Sequence, residues 1–152
     1  MRIILLFVSF LLTCFTYGQI LVSKAGDGWD KQVDSAINLI KITDPDKFQV
    51  LKLVCDKVDF WIGNHSTCFY EDKKGTIIIA VKDIELNSIN NLAAILVHES
   101  LHLTIMMNNK QMPVNEEEHL CYRYELSFIN KLQNPEYWLL EHVKTQIQNN
   151  IK

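Results

Sequence analysis

The stretch Ile89-Asn90-Asn91-Leu92-Ala93-Ala94-Ile95-Leu96-Val97-His98-Glu99-Ser100-Leu101-His102-Leu103-Thr104-Ile105-Met106-Met107 decides the reading of this chain. Ser88 ahead of it is a good helix N-cap, and no Gly or Pro interrupts it before Asn108-Asn109-Lys110, so the run predicts one long helix. Ile89, Leu92, Ala93, Leu96, Leu103 and Met107 line one side, while Ile95, His98, His102 and Ile105 line another. A helix apolar on most sides is a buried, central one. His98 and His102 stand four apart, so their rings project from one face a turn apart. Two imidazoles so placed can both reach one metal ion at about 2.0–2.1 Å. Glu99 sits about 100° round the helix from His98, where it need not be a ligand and can hold a water and take its proton. The plain alternative is a pair of hydrogen-bonded, partly buried histidines.

Upstream, the chain changes period. Thr76-Ile77-Ile78-Ile79-Ala80-Val81 is a continuous β-branched run and predicts a strand covered on both faces. Phe60-Trp61-Ile62 and Thr67 to Tyr70 predict two more strands, parted by the turn signal Gly63-Asn64, with Glu71 to Gly75 as a polar turn. Further back, beyond Ala25 to Gly28, Asp30 opens a helical pattern in which Val33, Ile37, Leu39 and Ile40 recur at intervals of three and four. Asp44-Pro45 interrupts it, because proline disfavours helix in the residue before it and suits the first turn of a new one. A second helix is expected from Pro45 through Val50, Leu51, Leu53, Val54 and Val58.

Downstream, Pro113 and Asn115 introduce a helix whose Leu120, Cys121, Tyr124, Phe128 and Leu132 share a face. Asn134-Pro135 starts a last helix containing Tyr137, Trp138, Leu139, Leu140 and Val143. His65 and His142 read as surface residues, and Trp29, Trp61 and Trp138 as core or lid residues.

Leu96-Val97-His98-Glu99-Ser100-Leu101-His102 followed by Glu118-His119-Leu120-Cys121-Tyr122 resembles the zincin metallopeptidases of gluzincin type, over about residues 76–130. In that group two histidines of an active-site helix and a glutamate of the next helix hold zinc, and a strand beside the site receives the peptide. The resemblance implies an α+β, zincin-like fold: a small sheet packed against a central active-site helix, with further helices on either side. It implies His98, His102 and Glu118 as zinc ligands, Glu99 as general base, and Thr76–Val81 as the substrate strand. Tyr122 departs from the thermolysin-like pattern, which has an acidic residue there, and Ile105 and Asn108 exclude the longer metzincin motif. The match places no residue to steady the transition state.

The third ligand has rivals. Glu117 is four before Cys121 and borders the same apolar face, and His119 is close by. Asn115 and Glu118 also fit a capping box, which would give that carboxylate a structural use, and Glu116-Glu117-Glu118 suits a helix N-terminus electrostatically. Glu125 reads either as an outer partner of a ligating histidine or as a charge at the edge of a buried face.

The 152 residues, 48 % hydrophobic and 22 % charged, suit one folded domain over 19–152. Residues 1–18 stand apart: Arg2, an apolar run from Ile3 to Leu12 and the small Gly18 predict a secretory signal peptide cut near Gly18-Gln19. Lipid attachment at Cys14 is the lesser alternative, and a membrane span is disfavoured because Ser9, Thr13, Thr16 and Gly18 break the run. Cleavage would remove one cation and no acid, taking the net charge of −3 to −4. This mild acidity, with no basic cluster, argues against nucleic acid or anionic membrane as the partner. Export permits a Cys55–Cys68 disulfide, though all three remaining cysteines, Cys121 included, also fit as buried small hydrophobes. No CxxC pair points to cysteine ligation of zinc.

The expectation is therefore a secreted or periplasmic zinc metallohydrolase acting on polypeptide. The alternative is a non-catalytic module in which zinc fixes two helices together.

Overall fold

A computed structural model describes residues 19–24 and 28–151. The expected signal segment 1–18, with Cys14, lies outside the described residues. The elements run β1 (Leu21–Val22), α1 (Trp29–Thr43), α2 (Pro45–Val54), β2 (Lys57–Trp61), β3 (Thr67–Glu71), β4 (Lys74–Ala80), α3 (Val81–Glu85), α4 (Ile89–Met107), α5 (Val114–Ile129) and α6 (Tyr137–Asn149). The chain is α+β, with one mixed sheet of order β1-β2-β4-β3. β1, β2 and β4 are parallel, and β3 runs antiparallel to β4 at one edge.

α4 is the hub, packing against α1, α2, α3, α5, β3 and β4. The Ser88 side chain accepts from the Asn91 N–H and caps it, as its sequence leads one to expect. Ser88 also donates to Glu136 Oε1 at 2.6 Å, and Asn90 Nδ2 donates to Glu136 Oε2 at 2.8 Å, which ties the start of α4 to the start of α6. The apolar side chains of α4 share one core with Val33 and Ile40 of α1, Leu51 of α2, Val58 of β2, Ile77 and Ile79 of β4, and Phe128 of α5. At about 25 cal/mol per Å² of buried apolar surface, this cluster is the main stabilising element of the fold.

Some boundaries differ from the expectation. The second helix stops at Val54, and Val58 lies in β2, because the Cys55 N–H closes the helix onto Leu51 O and Asp56 then pairs with Gly75. Gly75 is required here: a Cβ would sit 1.9 Å from the Val54 carbonyl oxygen. The polar turn narrows to Asp72-Lys73, both at positive φ (50° and 62°), a two-residue connection suited to a tight hairpin. Val81 belongs to α3, not to the strand. On α5, Leu120 is exposed and the buried face runs Cys121, Glu125, Phe128 and Ile129. No helix among the described residues is long and apolar enough to cross a membrane.

Candidate metal centre

The middle of α4 meets α5, and the meeting is polar although the surrounding core is apolar. His98 and Glu99 are each 7 % exposed, and His102 is partly buried. From α5, residues 117, 118, 121, 122 and 125 follow helical spacing and face the two histidines.

Nε2 of His98 and Nε2 of His102 lie 3.1 Å apart. Glu118 sets one carboxylate oxygen 3.5 Å from the first and the other 3.4 Å from the second. The outer ring nitrogens are held by separate carboxylates: His98 Nδ1 lies 2.9 Å from Glu125 Oε2, and His102 Nδ1 lies 2.6 Å from Glu117 Oε1. Those acceptors assign the ring proton to Nδ1 in each neutral imidazole, which leaves both Nε2 lone pairs converging on one point beside an anionic carboxylate. Lone pairs so arranged repel unless a proton or a cation lies among them. The edges of a tetrahedron around an ion bonded at 2.0–2.1 Å are about 3.3–3.4 Å long. The separations in this triangle bracket that length, so the residues fit a bound metal ion.

Cys121 adds a fourth possible donor. Its Sγ lies within 4.8 Å of ligand nitrogens of both histidines, so His98, His102 and Cys121 also form a group able to hold an ion. Burial, reinforced by the charges of Glu118, Glu117, Glu99 and Glu125, pushes the Cys121 thiol well up, which disfavours the thiolate. The adjacent His102 and His98 rings, when protonated, pull Glu118 down to about 2, so that group is already an anion. Glu118 and Cys121 both stand beside the two rings as candidate third donors.

Glu99 lies near Cys68 of β3, and both border the cleft. Burial raises its pKa, opposed by the charges of His98 and His102. A carboxylate raised in this way is a stronger base than a solvated one. A cleft of about 480 Å³ opens over the group, bordered by Thr67 and Cys68 of β3, His102, Glu118, Tyr122 and Gln146 among others. Tyr122 stands edge-on to His98, ring centres 4.5 Å apart.

The sequence-derived assignments divide here. His98, Glu99, His102 and Glu118 come together. Glu117 serves as the partner of His102 Nδ1, and Glu125 as that of His98. His119 turns away, its ring 3.2 Å from the Ile147 carbonyl. The capping box is not formed: α5 is capped at Pro113 with no side-chain bond, and Asn115 lies inside the helix. The expected substrate strand is corrected too. β4 is paired on both sides, by β2 and β3, so among the described residues β3 is the edge strand beside the cleft. Cys55, Cys68 and Cys121 are free thiols, so the Cys55–Cys68 bridge is absent.

His65 and His142 are exposed as expected, yet His65 lines the cleft and His142 an adjoining cavity. Trp61 donates Nε1–H to the His65 carbonyl at 3.0 Å, and its ring covers Gly63, where a Cβ would clash at 2.3 Å. It is thus a clamp on the loop that carries His65. Trp29 packs on Phe60 with ring centres 5.8 Å apart, and Trp138 is 45 % exposed. Sequence reasoning missed Cys121 as a donor, together with Cys68 and Tyr122. The spacing 118, 122, 125 on α5 opposite 98, 102 on α4 was the available signal for Tyr122. In comparisons with known proteins, no family model, no curated protein and no solved structure matches this chain.

Proposed function

We propose that the protein is a zinc-dependent hydrolase of peptide bonds, of zincin-like architecture and exported by way of residues 1–18. The observation that carries this reading is the meeting of the two Nε2 atoms 3.1 Å apart beside Glu118, with buried Glu99 next to them at the floor of an open cleft. His98, His102 and Glu118 would hold the ion. Bound there, zinc supplies Lewis acidity, which makes water nucleophilic near neutral pH and polarises a carbonyl.

The remaining steps belong to the chain. Glu125 and Glu117 keep the two rings oriented with Nε2 inward. An extended peptide lies along the outer edge of β3, which pairs with no further strand among the described residues and offers it main-chain hydrogen bonds. Glu99 takes a proton from the attacking water and passes it to the departing amine, so that the elements of water add across the broken C–N bond. Tyr122 and His65 border the same cleft and carry donors for the oxygen that becomes negative.

The test is Glu99→Gln. The variant is expected to bind one equivalent of zinc like the wild type and to lose at least about 100-fold in the rate of peptide hydrolysis, the usual contribution of a general base. Equal rates for the two proteins would leave only the alternative, in which an ion merely fastens α4 to α5.

A further inference from the structure

We propose that a second, smaller cavity beside His98 is a recognition pocket for a short, uncharged carboxamide side chain of the substrate, asparagine above all. This rests on the peptidase reading above. The cavity encloses about 150 Å³ and is walled by Asn91, Ile95, Asp83, Ser66, Tyr122 and His142. It shares His98 and Glu99 with the large cleft, so whatever fills it lies against the reacting groups.

Asn91 carries the argument. It is 6 % exposed, and its Nδ2 has no hydrogen-bond partner. Its backbone N–H is taken by the Ser88 cap, so the free donor is the side chain alone. Native structures rarely leave a buried donor unmet unless a ligand or an ordered water completes it. Nearby, Ser66 Oγ donates to Asp83 Oδ2 at 2.7 Å and accepts from the Ala80 N–H at 2.9 Å. The hydroxyl proton is therefore taken, and the other Asp83 oxygen is left to accept. The cavity thus offers the unmet Asn91 donor and the Asp83 acceptor, beside the polar groups of His65, Tyr122, His142, Glu99 and Glu125.

A carboxamide answers both, its carbonyl taking the Asn91 proton and its NH2 giving one to Asp83. A carboxylate would meet Asp83, Glu99 and Glu125 in the same small space. An apolar group would leave Asn91 unmet. A lysine or arginine would suit the carboxylates but leave the Asn91 donor unmet, and it needs more room, since the cavity holds about five water volumes.

The experiment uses the zinc-loaded protein and peptides varied one position at a time among Asn, Gln, Asp and Leu. At one position next to the cleaved bond, Asn is expected to exceed Asp and Leu in kcat/KM by roughly tenfold to a hundredfold. Asn91→Leu, and Asn91→Asp, which keeps the size should the leucine variant misfold, are expected to erase that preference. N-acetyl-L-asparagine amide should shift the Asn91 side-chain NH2 signals in NMR spectra, and the aspartate and leucine analogues should not. Hydrolysis without any amide preference, or a preference that survives both variants, overturns the pocket while leaving the peptidase reading intact. An Asn91 NH2 group in contact with a long-lived water that the amide does not displace also overturns it. A selective shift of the Asn91 signals in a protein that cleaves nothing supports the pocket and removes the peptidase reading.

Discussion

Glu125, only 5 % exposed, holds its Oε2 2.9 Å from Nδ1 of His98. A buried carboxylate in this position fixes the tautomer and the rotation of the ring, and it strengthens the opposite nitrogen as a donor. Glu125→Gln retains an acceptor but removes the charge, and it is expected to weaken metal binding by about 10- to 100-fold. Titration with zinc against a competing chelator measures this. Equal affinity in the variant would mean that the contact serves packing alone.

A second buried carboxylate acts on stability far from the cleft. Asp44 is 2 % exposed, accepts from the Lys47 N–H at 3.3 Å as the cap of α2, and pairs with Lys131 Nζ at 2.8 Å. Lys47 lies close by with its ammonium 3.4 Å from the centre of the Tyr124 ring. Asp44→Ala removes the cap and the buried anion together and is expected to cost about 2–3 kcal/mol in denaturant unfolding. Asp44→Asn keeps the cap and should cost less than half of that. Equal losses for the two would assign the whole effect to charge.

The three described thiols should be inert. Burial pushes Cys55 up to about 12, and burial likewise raises Cys68 and Cys121. Since the thiolate is the reactive form, brief alkylation of the native protein at pH 8 should leave Cys55, Cys68 and Cys121 unmodified, while all three react in denaturant. Peptide mass mapping distinguishes the two. Fast native labelling at Cys68, the only one of the three that is not fully buried, would show that the Glu99 side of the cleft opens readily.

What the sequence disclosed follows from the range of the forces involved. The capped, uninterrupted run from Ile89 and the histidine spacing within it are local, and α4 with its paired rings appears where that pattern puts it. The third donor depended on the facing of a neighbouring helix. Glu116, Glu117, Glu118 and His119 are equally acidic or basic on paper, and only the rotation of α5 against α4 turns Glu118 to the Nε2 atoms and Glu117 to the outer nitrogen. The edge strand was illegible for the same reason. The most β-branched segment is the one buried between two neighbours, so its strong signal marked the sheet's interior, while the modest Thr67-to-Glu71 segment took the edge. Glu125 could be placed on the buried face but not paired, because its partner lies 27 residues away on another helix.

Acid and base should move the metal-free and metal-loaded proteins in opposite directions. Burial alone would lower His98, but the hydrogen bonds its protonated ring donates to Glu118 and Glu125 outweigh it and raise the pKa from 6.5 to about 10. A group raised on folding lends stability that is complete below its unfolded pKa and is lost as pH climbs through the folded one. For His98 that loss spans roughly pH 6.5 to 10. Glu118, lowered from 4.5 to about 2, contributes above pH 4.5 and ceases to contribute as pH falls through 2. These two groups are therefore most stabilising in the metal-free protein between these windows, at about pH 4.5–6.5. A metal ion must displace the proton of His98, so binding should release it into the buffer at neutral pH and tighten as pH rises. Melting temperatures measured from pH 5 to 9 with zinc and with EDTA should accordingly diverge, the chelated protein falling above pH 6.5 and the loaded one holding or rising. Parallel curves, or zinc uptake without proton release in calorimetry across buffers of different ionisation heat, would show that the ion does not sit between His98 and His102.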